Sequence, residues 1–446
     1  MTADERSGAR VTHTAVVYIG LGVTQHSLNL LLLPLITRVV SPTEYGEITT
    51  IVVVTLLVGV VLGGALEVPL TRAAARGGSG AARVAGWARI YLVWLIPAIC
   101  MLGSAAVWLL SEGGSHGKAW SIELAAVGLS ASLTYYAQPV TRGSDRLAAY
   151  VLLTTTSVVT LAVTKFVFLS SFEDGVLAWV CSDLFAAVVA WLSVMVVVRP
   201  KRIRWLASRE DDAPATINEL VRACIPLAAH RAAFWSLNSL NRPAVAIFMS
   251  FHSVGIYSLA TNIAGVSMTL LAEFNRAVLV EYARERWPAP AGTRRIAQAQ
   301  LLAALAVPAC IATGVLLLGD LVIGHDYHSG IPLVGILLIG QVLYGVYLIP
   351  MNYLTQTAGK YQWSSYASVV GAAVILLALV VAGALNSLTA ACIGTVAGYA
   401  TLLLMAIALT RVARLPIKWL AVLPRTLVAV PLLVAAGSSL AILIKS

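Results

Sequence analysis

Residues 27–46 read SLNLLLLPLITRVVSPTEYG, and residues 236–255 read SLNSLNRPAVAIFMSFHSVG. Laid over each other without a gap, at an offset of 209, they agree at seven of twenty positions: Ser27/Ser236, Leu28/Leu237, Asn29/Asn238, Leu31/Leu240, Pro34/Pro243, Ser41/Ser250 and Gly46/Gly255. Leucine matches arise by chance in apolar text, but Asn, Pro and Gly at fixed spacing mark an internal repeat. Apolar windows around this pair, cut at charged or Gly/Pro-rich breaks, predict spans near 13–37, 47–69, 86–110, 120–140, 148–170 and 176–198. After a polar stretch, further spans follow near 219–249, 254–278, 297–319, 331–356, 363–385, 387–410 and 421–444. The offset carries span 1 onto span 7. A shift of six helices preserves direction across a bilayer, so the halves are expected to be parallel repeats about an axis along the membrane normal.

Composition agrees. The chain has 446 residues, of which 59% are hydrophobic and 11% charged, with a mean hydropathy of +0.86, whereas soluble domains carry about 25% charged residues. At roughly 20 apolar residues per spanning helix, the thirteen spans use the chain up and leave no soluble catalytic domain. The fold class read from this is all-α integral membrane: two pseudo-symmetric six-helix lobes over 1–198 and 219–411, joined by a linker over 199–218, with an extra transmembrane helix in 412–446. The net charge of +10 does not point to nucleic acid. With the N-terminus in the cytoplasm, 22 of the 30 Lys and Arg residues fall in cytoplasmic segments and only Arg38, Lys118 and Lys445 outside, which is the positive-inside pattern of a multi-pass protein of the cell membrane. The apolar run after Arg6 and Arg10 continues for a full span without a small-residue cleavage site, so it reads as a retained helix. The five cysteines, Cys100, Cys181, Cys224, Cys310 and Cys392, are scattered singly through apolar segments and read as small core residues.

Charged groups inside spans cost about 2.5–3.5 kcal/mol each on insertion scales, so they face a partner or a water-filled cavity. Span 7 holds Arg231, Trp235, Asn238 and Arg242 at spacings that put them on one helical face. Neither arginine has an acid one turn away, which favours a cationic wall for an anionic headgroup, with Trp235 against a sugar ring, over a structural ion pair with another helix. Span 8 carries Asn262, Thr269, Glu273 and Arg276 on one stripe. Glu273 and Arg276 can pair with each other, and this reading stands beside a role in substrate or cation coupling. In span 1, Gln25 and Asn29 share a face, as ligands or as helix-helix glue. Glu67, Lys165 and Asp183 are single intramembrane charges, read as coupling or structural groups. His325-Asp-Tyr-His328 reads as a solvated loop, and no metal site is expected. The sequence has no phosphate-binding GxxxxGK[ST] loop and no Ser/His/Asp pattern, so neither an enzyme nor a cofactor is expected, and the drive for transport is left open between a proton and a sodium gradient.

The stretch Pro34-Leu-Ile-Thr-Arg38-Val-Val-Ser41-Pro-Thr-Glu44-Tyr45-Gly46 resembles the end of the first helix and first outside loop of the polysaccharide flippases of the MOP (multidrug/oligosaccharidyl-lipid/polysaccharide) exporter superfamily. Gly255-Ile-Tyr257-Ser-Leu259 resembles their second-half counterpart. Gly359-Lys360 after span 10 and Ala390-Ala391 opening span 12 match in place and spacing. One departure is Ser387-Leu388-Thr389, where the family has a Gly-rich entry to span 12. The resemblance implies two six-helix lobes that move an undecaprenyl-diphosphate-linked oligosaccharide from the inner to the outer leaflet by alternating access. Membrane lipids, and a polysaccharide polymerase or chain-length machinery, are its candidate partners. Three alternatives compete. A multidrug or cation antiporter of the same superfamily would rely on intramembrane acids, a lipid II flippase on arginines within spans 1 and 2, and a membrane sugar polymerase or ligase on a long outside loop; this sequence has none of these features prominently.

Overall fold

The computed structural model describes residues 32–76, 78–111, 114–198, 216–284, 293–358 and 362–415, with residues 20, 360 and 437 singly. Regular structure among them is entirely helical. Among the described residues nine helices are long and apolar enough to cross a membrane: Pro42–Ala75, Gly78–Leu110, Leu147–Ser171, Gly175–Val197, Phe251–Leu279, Arg294–Val322, His325–Thr357, Tyr366–Ala384 and Leu388–Val412. These are spans 2, 3, 5, 6, 8, 9, 10, 11 and 12. Spans 4 and 7 are helical but interrupted. Span 4 runs Ser115–Ala131, passes through a π turn at Ser132–Ala137, and ends as Gln138–Gly143. Span 7, expected as one helix, is two: Ile217–Ser239 and Asn241–Phe248. Pro243 explains the break, because it has no N–H to donate and its ring crowds the carbonyl of Ser239 four residues back. Most of span 1, the span expected over 421–444, and residues 199–215 of the linker lie outside the described residues.

The repeat is visible in local geometry. Leu33–Val39 is a short helix with Pro34 in its first turn, and Asn241–Phe248, with Pro243 near its start, occupies the corresponding positions 209 residues on. The long helices that follow begin at Pro42 and Phe251, again 209 apart. Ser41 caps the first of them: its hydroxyl accepts from the Glu44 amide at 3.3 Å, while the Glu44 carboxylate accepts from the Ser41 amide at 2.9 Å, a reciprocal capping box. Ser250 does the same work in the second, accepting from the Ser253 amide at 3.2 Å. One turn further on, Gly46 and Gly255 let the two helix starts touch. A β-carbon on Gly46 would sit 1.8 Å from the Phe251 carbonyl oxygen, and one on Gly255 would sit 1.8 Å from the Pro42 carbonyl oxygen. Phe251 is the repeat partner of Pro42, so the contact maps onto itself when the halves are exchanged. Around this contact the two helix starts are related by a local two-fold.

Close packing divides the chain into two compact units, 47–235 and 1–46 together with 236–446. In the first, span 3 packs on span 4, and spans 4 and 5 on span 6. In the second, span 9 packs on span 10, and spans 10 and 11 on span 12. The two schemes are identical after a shift of six helices. Span 10 also carries a π turn, Tyr353–Thr357, as span 4 does. A third π turn, Ile90–Leu95 in span 3, precedes Pro97. Pro97 cannot donate to the Val93 carbonyl, and the indole Nε1 of Trp191 takes the vacancy at 3.0 Å. Replacing Trp191 with Phe is expected to cost about 1 kcal/mol, read as a small fall in Tm of the detergent-solubilised protein; an unchanged Tm would show that the carbonyl needs no donor.

Candidate functional site

Arg242 is the most unusual charge. It sits in the first turn of Asn241–Phe248, where Nη2 donates to Asn262 Oδ1 at 2.6 Å, and Asn262 Nδ2 in turn donates to the Tyr45 hydroxyl at 2.7 Å. Among the described residues no carboxylate pairs with it, and its buried Nε has no hydrogen-bond partner. A guanidinium with a spare N–H and no counter-ion is a ready-made anion contact. Beside it, the Asn241 amide donates to the Tyr257 hydroxyl at 2.7 Å, which meets Thr395 Oγ1 at 3.0 Å, while the Tyr399 hydroxyl donates to Asn238 Oδ1 at 3.3 Å. The Asn pair matched by the repeat is split: Asn238 joins this network, whereas Asn29 and Gln25 lie outside the described residues.

Arg231 behaves differently from expectation. Its Nη2 donates to Glu67 Oε2 at 2.5 Å, and Arg142 approaches the other Glu67 oxygen at 3.8 Å. Span 2 positions Glu67 by breaking its helix at Gly64–Leu66, a single 3-10 turn, so that the acid opens a new helical segment, Glu67–Arg76. The free cationic stripe of span 7 is therefore corrected in three respects. The helix is interrupted between Arg231 and Arg242, and Arg231 has an acid from another helix. Trp235, expected to face a sugar, is only 7% exposed, and its buried indole N–H lacks a partner.

Lys165 and Asp183, read as separate charges, form one pair at 3.3 Å between spans 5 and 6. Lys165 is 3% exposed, and its ammonium lies 3.4 Å from the centroid of the Trp179 ring. Glu123 of span 4 interacts electrostatically with both, is itself buried, and keeps one carboxylate oxygen without a hydrogen bond. Glu123 is the residue the sequence reading passed over, although an acid inside the apolar window 120–140 was signal enough. In span 8, Glu273 and Arg276 pair with each other as the structural reading has it, with Arg276 largely exposed. A second group missed from sequence is an amide cluster. The Tyr282 hydroxyl donates to Gln300 Oε1 at 2.6 Å, and Gln300 and Asn352 both donate to Asn275 Oδ1 at 2.7 Å. Among the described residues no three His, Cys, Asp or Glu side chains are placed to hold a metal. His325 and His328, expected in a solvated loop, instead lie in a 3-10 turn, His325–Gly330, that opens the span 10 helix and buries Tyr327; their ring centroids are 5.3 Å apart, and His328 Nε2 is 3.1 Å from the Ile323 carbonyl oxygen.

Comparison with known proteins fits this architecture. Three solved structures similar to the chain are transporters, two of them described as members of the MOP superfamily. One is a multidrug resistance MATE family transporter in an inward-facing conformation (TM-score 0.64, 15% identity, covering 90% of this chain and 98% of that one). Another is a transporter from Pyrococcus furiosus Vc1 (DSM3638), described as having a binding pocket of reverse polarity that suggests a different function (TM-score 0.60, 16% identity, 90% and 95%). The third is the MATE multidrug transporter DinF-BH in complex with R6G (TM-score 0.60, 15% identity, 91% and 95%). At these identities the likeness concerns the fold. No curated protein matches. The family profile described as Polysaccharide biosynthesis protein matches residues 11–282, well over half of the chain. This multi-pass membrane protein, folded as a MOP-superfamily transporter, belongs to the polysaccharide biosynthesis protein family.

Proposed function

We propose that the chain moves a lipid-linked oligosaccharide, carried on undecaprenyl diphosphate, from the cytoplasmic to the outer leaflet by alternating access of two six-helix lobes, 1–198 and 219–411. Arg242 carries the reading. A diphosphate is a fixed anion, and a half-buried guanidinium that, among the described residues, has a free Nε–H and no carboxylate partner is suited to bind it. Membership of the polysaccharide biosynthesis protein family supports a saccharide cargo. The multidrug or cation antiporter reading fits less well, because it would rely on intramembrane acids, and among the described residues no carboxylate pairs with Arg242. In this scheme Arg231 and Arg142, tempered by Glu67, and Arg242 are each contacts for the headgroup.

The test is transport of a fluorescent undecaprenyl-diphosphate disaccharide in vesicles holding matched amounts of each variant. Arg242→Lys keeps the charge but loses the planar fork and is expected to retain part of the rate, while Arg242→Ala is expected to lose about 1.5–3 kcal/mol of binding, roughly ten- to a hundredfold. Normal transport by a folded Arg242→Ala protein would overturn the assignment. Topology is checked separately. Reporter fusions after Arg83, Arg204 and Arg295 are expected in the cytoplasm, and fusions after Gly114 and His325 outside. An outside signal at Arg204 would contradict the two-lobe arrangement.

A further inference from the structure

Tyr45 lies in the first turn of span 2 and comes from the first repeat, whereas Arg242 and Asn262 come from the second. All three belong to the compact unit formed by 1–46 and 236–446. Asn262 connects them, and its amide has two unlike ends. The oxygen accepts from Arg242 Nη2 at 2.6 Å, and the nitrogen donates to the Tyr45 phenol oxygen at 2.7 Å. Turned the other way, the amide would set its N–H groups against those of a guanidinium, which has no acceptor. The phenol oxygen therefore fixes which end of Asn262 faces Arg242. With Nη2 held by Asn262, Nε–H is left over.

Tyr45 is itself fixed from the other side. It is buried, and its ring meets that of the fully buried Tyr327 edge-on, with centroids 6.0 Å apart. The Tyr327 hydroxyl donates to the Val40 carbonyl at 3.0 Å, the Gly324 amide to Thr37 Oγ1 at 2.9 Å, and Arg38 Nη2 to the Leu321 carbonyl at 3.0 Å. These bonds clasp the end of span 1 to the turn between spans 9 and 10. Gly46, whose close approach to Phe251 joins the two helix starts, follows Tyr45 directly. Tyr45 thus stands between the clasp and the helix-start contact.

In the proposed cycle residues 33–46 travel with the lobe 1–198, yet here they pack with the C-terminal half. That packing must part and re-form in each turnover, and Tyr45 leaves Asn262 whenever it parts. We infer that Tyr45 is a positioning residue for the anion contact: through Asn262 it orients Arg242 only while the clasp is closed, so that opening the clasp and releasing the headgroup are one event. The inference rests on the transport reading above and adds to it what triggers release.

The deciding experiment uses the full chain in nanodiscs and two probes, inorganic pyrophosphate and undecaprenyl diphosphate. Tyr45→Phe keeps the ring against Tyr327 and removes only the oxygen. It is expected to weaken both probes about tenfold, and to do nothing further in an Arg242→Ala background, because the two residues act through one contact. Linkage requires the reverse effect as well: if the closed clasp improves the anion contact, the anion must favour the closed clasp. Pyrophosphate is therefore expected to slow amide hydrogen exchange in residues 33–46 and 321–330 of the wild type, a measurement that needs no variant to fold, and to leave exchange unchanged in Tyr45→Phe. Wild-type affinity in Tyr45→Phe, an additive double variant, or wild-type exchange that ignores bound pyrophosphate would each overturn the inference. A wild type that binds neither probe would overturn Arg242 as an anion contact and the role of Tyr45 with it. Binding of pyrophosphate through Arg242 without binding of undecaprenyl diphosphate would defeat the proposed cargo alone, and the pyrophosphate results would still decide the role of Tyr45.

Discussion

Lys165→Met is expected to destabilise the protein by about 3–5 kcal/mol, because removing one member of a buried ion pair strands the charge that remains. Asp183 loses its partner at 3.3 Å, and Glu123, which already has an oxygen without a hydrogen bond, loses the cation nearest to it. Trp179 also loses the ammonium over its ring. Methionine fills a volume similar to that of the lysine stem, so the cost is electrostatic rather than a cavity. The triple replacement Lys165→Met, Asp183→Asn, Glu123→Gln is accordingly expected to recover most of the loss. Thermal unfolding of the detergent-solubilised protein reads both. A Lys165→Met protein that melts like the wild type would mean that the carboxylates are neutral as folded, and the three side chains would then have to be described as hydrogen-bonding groups alone.

Gly46→Ala and Gly255→Ala are expected to be comparably severe and, unusually, alike. In an exposed helix, replacing Gly with Ala gains about 1 kcal/mol. Here the sign reverses, because the new methyl would lie 1.8 Å from a backbone carbonyl oxygen of the facing helix start. A backbone atom cannot swing aside as a side chain can, so the helices must part, and losses above about 3 kcal/mol fall among the large single-site effects. Because each substitution pries open the same contact, the double variant is expected to lose much less than the sum of the singles. Yield of monodisperse protein and Tm report the effect. Two unequal singles, or an additive double, would dissolve the reciprocity on which the two-fold relation rests.

Most of the fold could be read from the sequence, for a physical reason: a span is a local property, and twenty apolar residues declare it without reference to the rest of the chain. The repeat was legible for the same reason. Pro34/Pro243 start short helices, Ser41/Ser250 cap long ones, and Gly46/Gly255 permit contact, so three of the seven identities turn out to be local instructions. The charged residues were less legible. Whether Arg231 is free depends on Glu67, which is 164 residues away and reaches it only through packing. The same holds for Lys165 with Asp183 and Glu123. Among the described residues no acid pairs with Arg242, but the stripe joining it to Arg231 presumes one continuous helix, which Pro243 interrupts.

The π turn in span 4 makes the length of that span carry information. A π turn holds one residue more than the α turn it replaces, and each residue of a helix turns the chain by about 100°. Glu123 precedes Ser132–Ala137 and faces Lys165 and Asp183; Arg142 follows it and meets Glu67. The two ends of one helix are thus clocked against different neighbours by a single additional residue. Swapping side chains inside the turn leaves that phase intact. Deleting one residue restores an ordinary helix and rotates one half away from its partner, so span 4 tolerates changes of letter far better than changes of count.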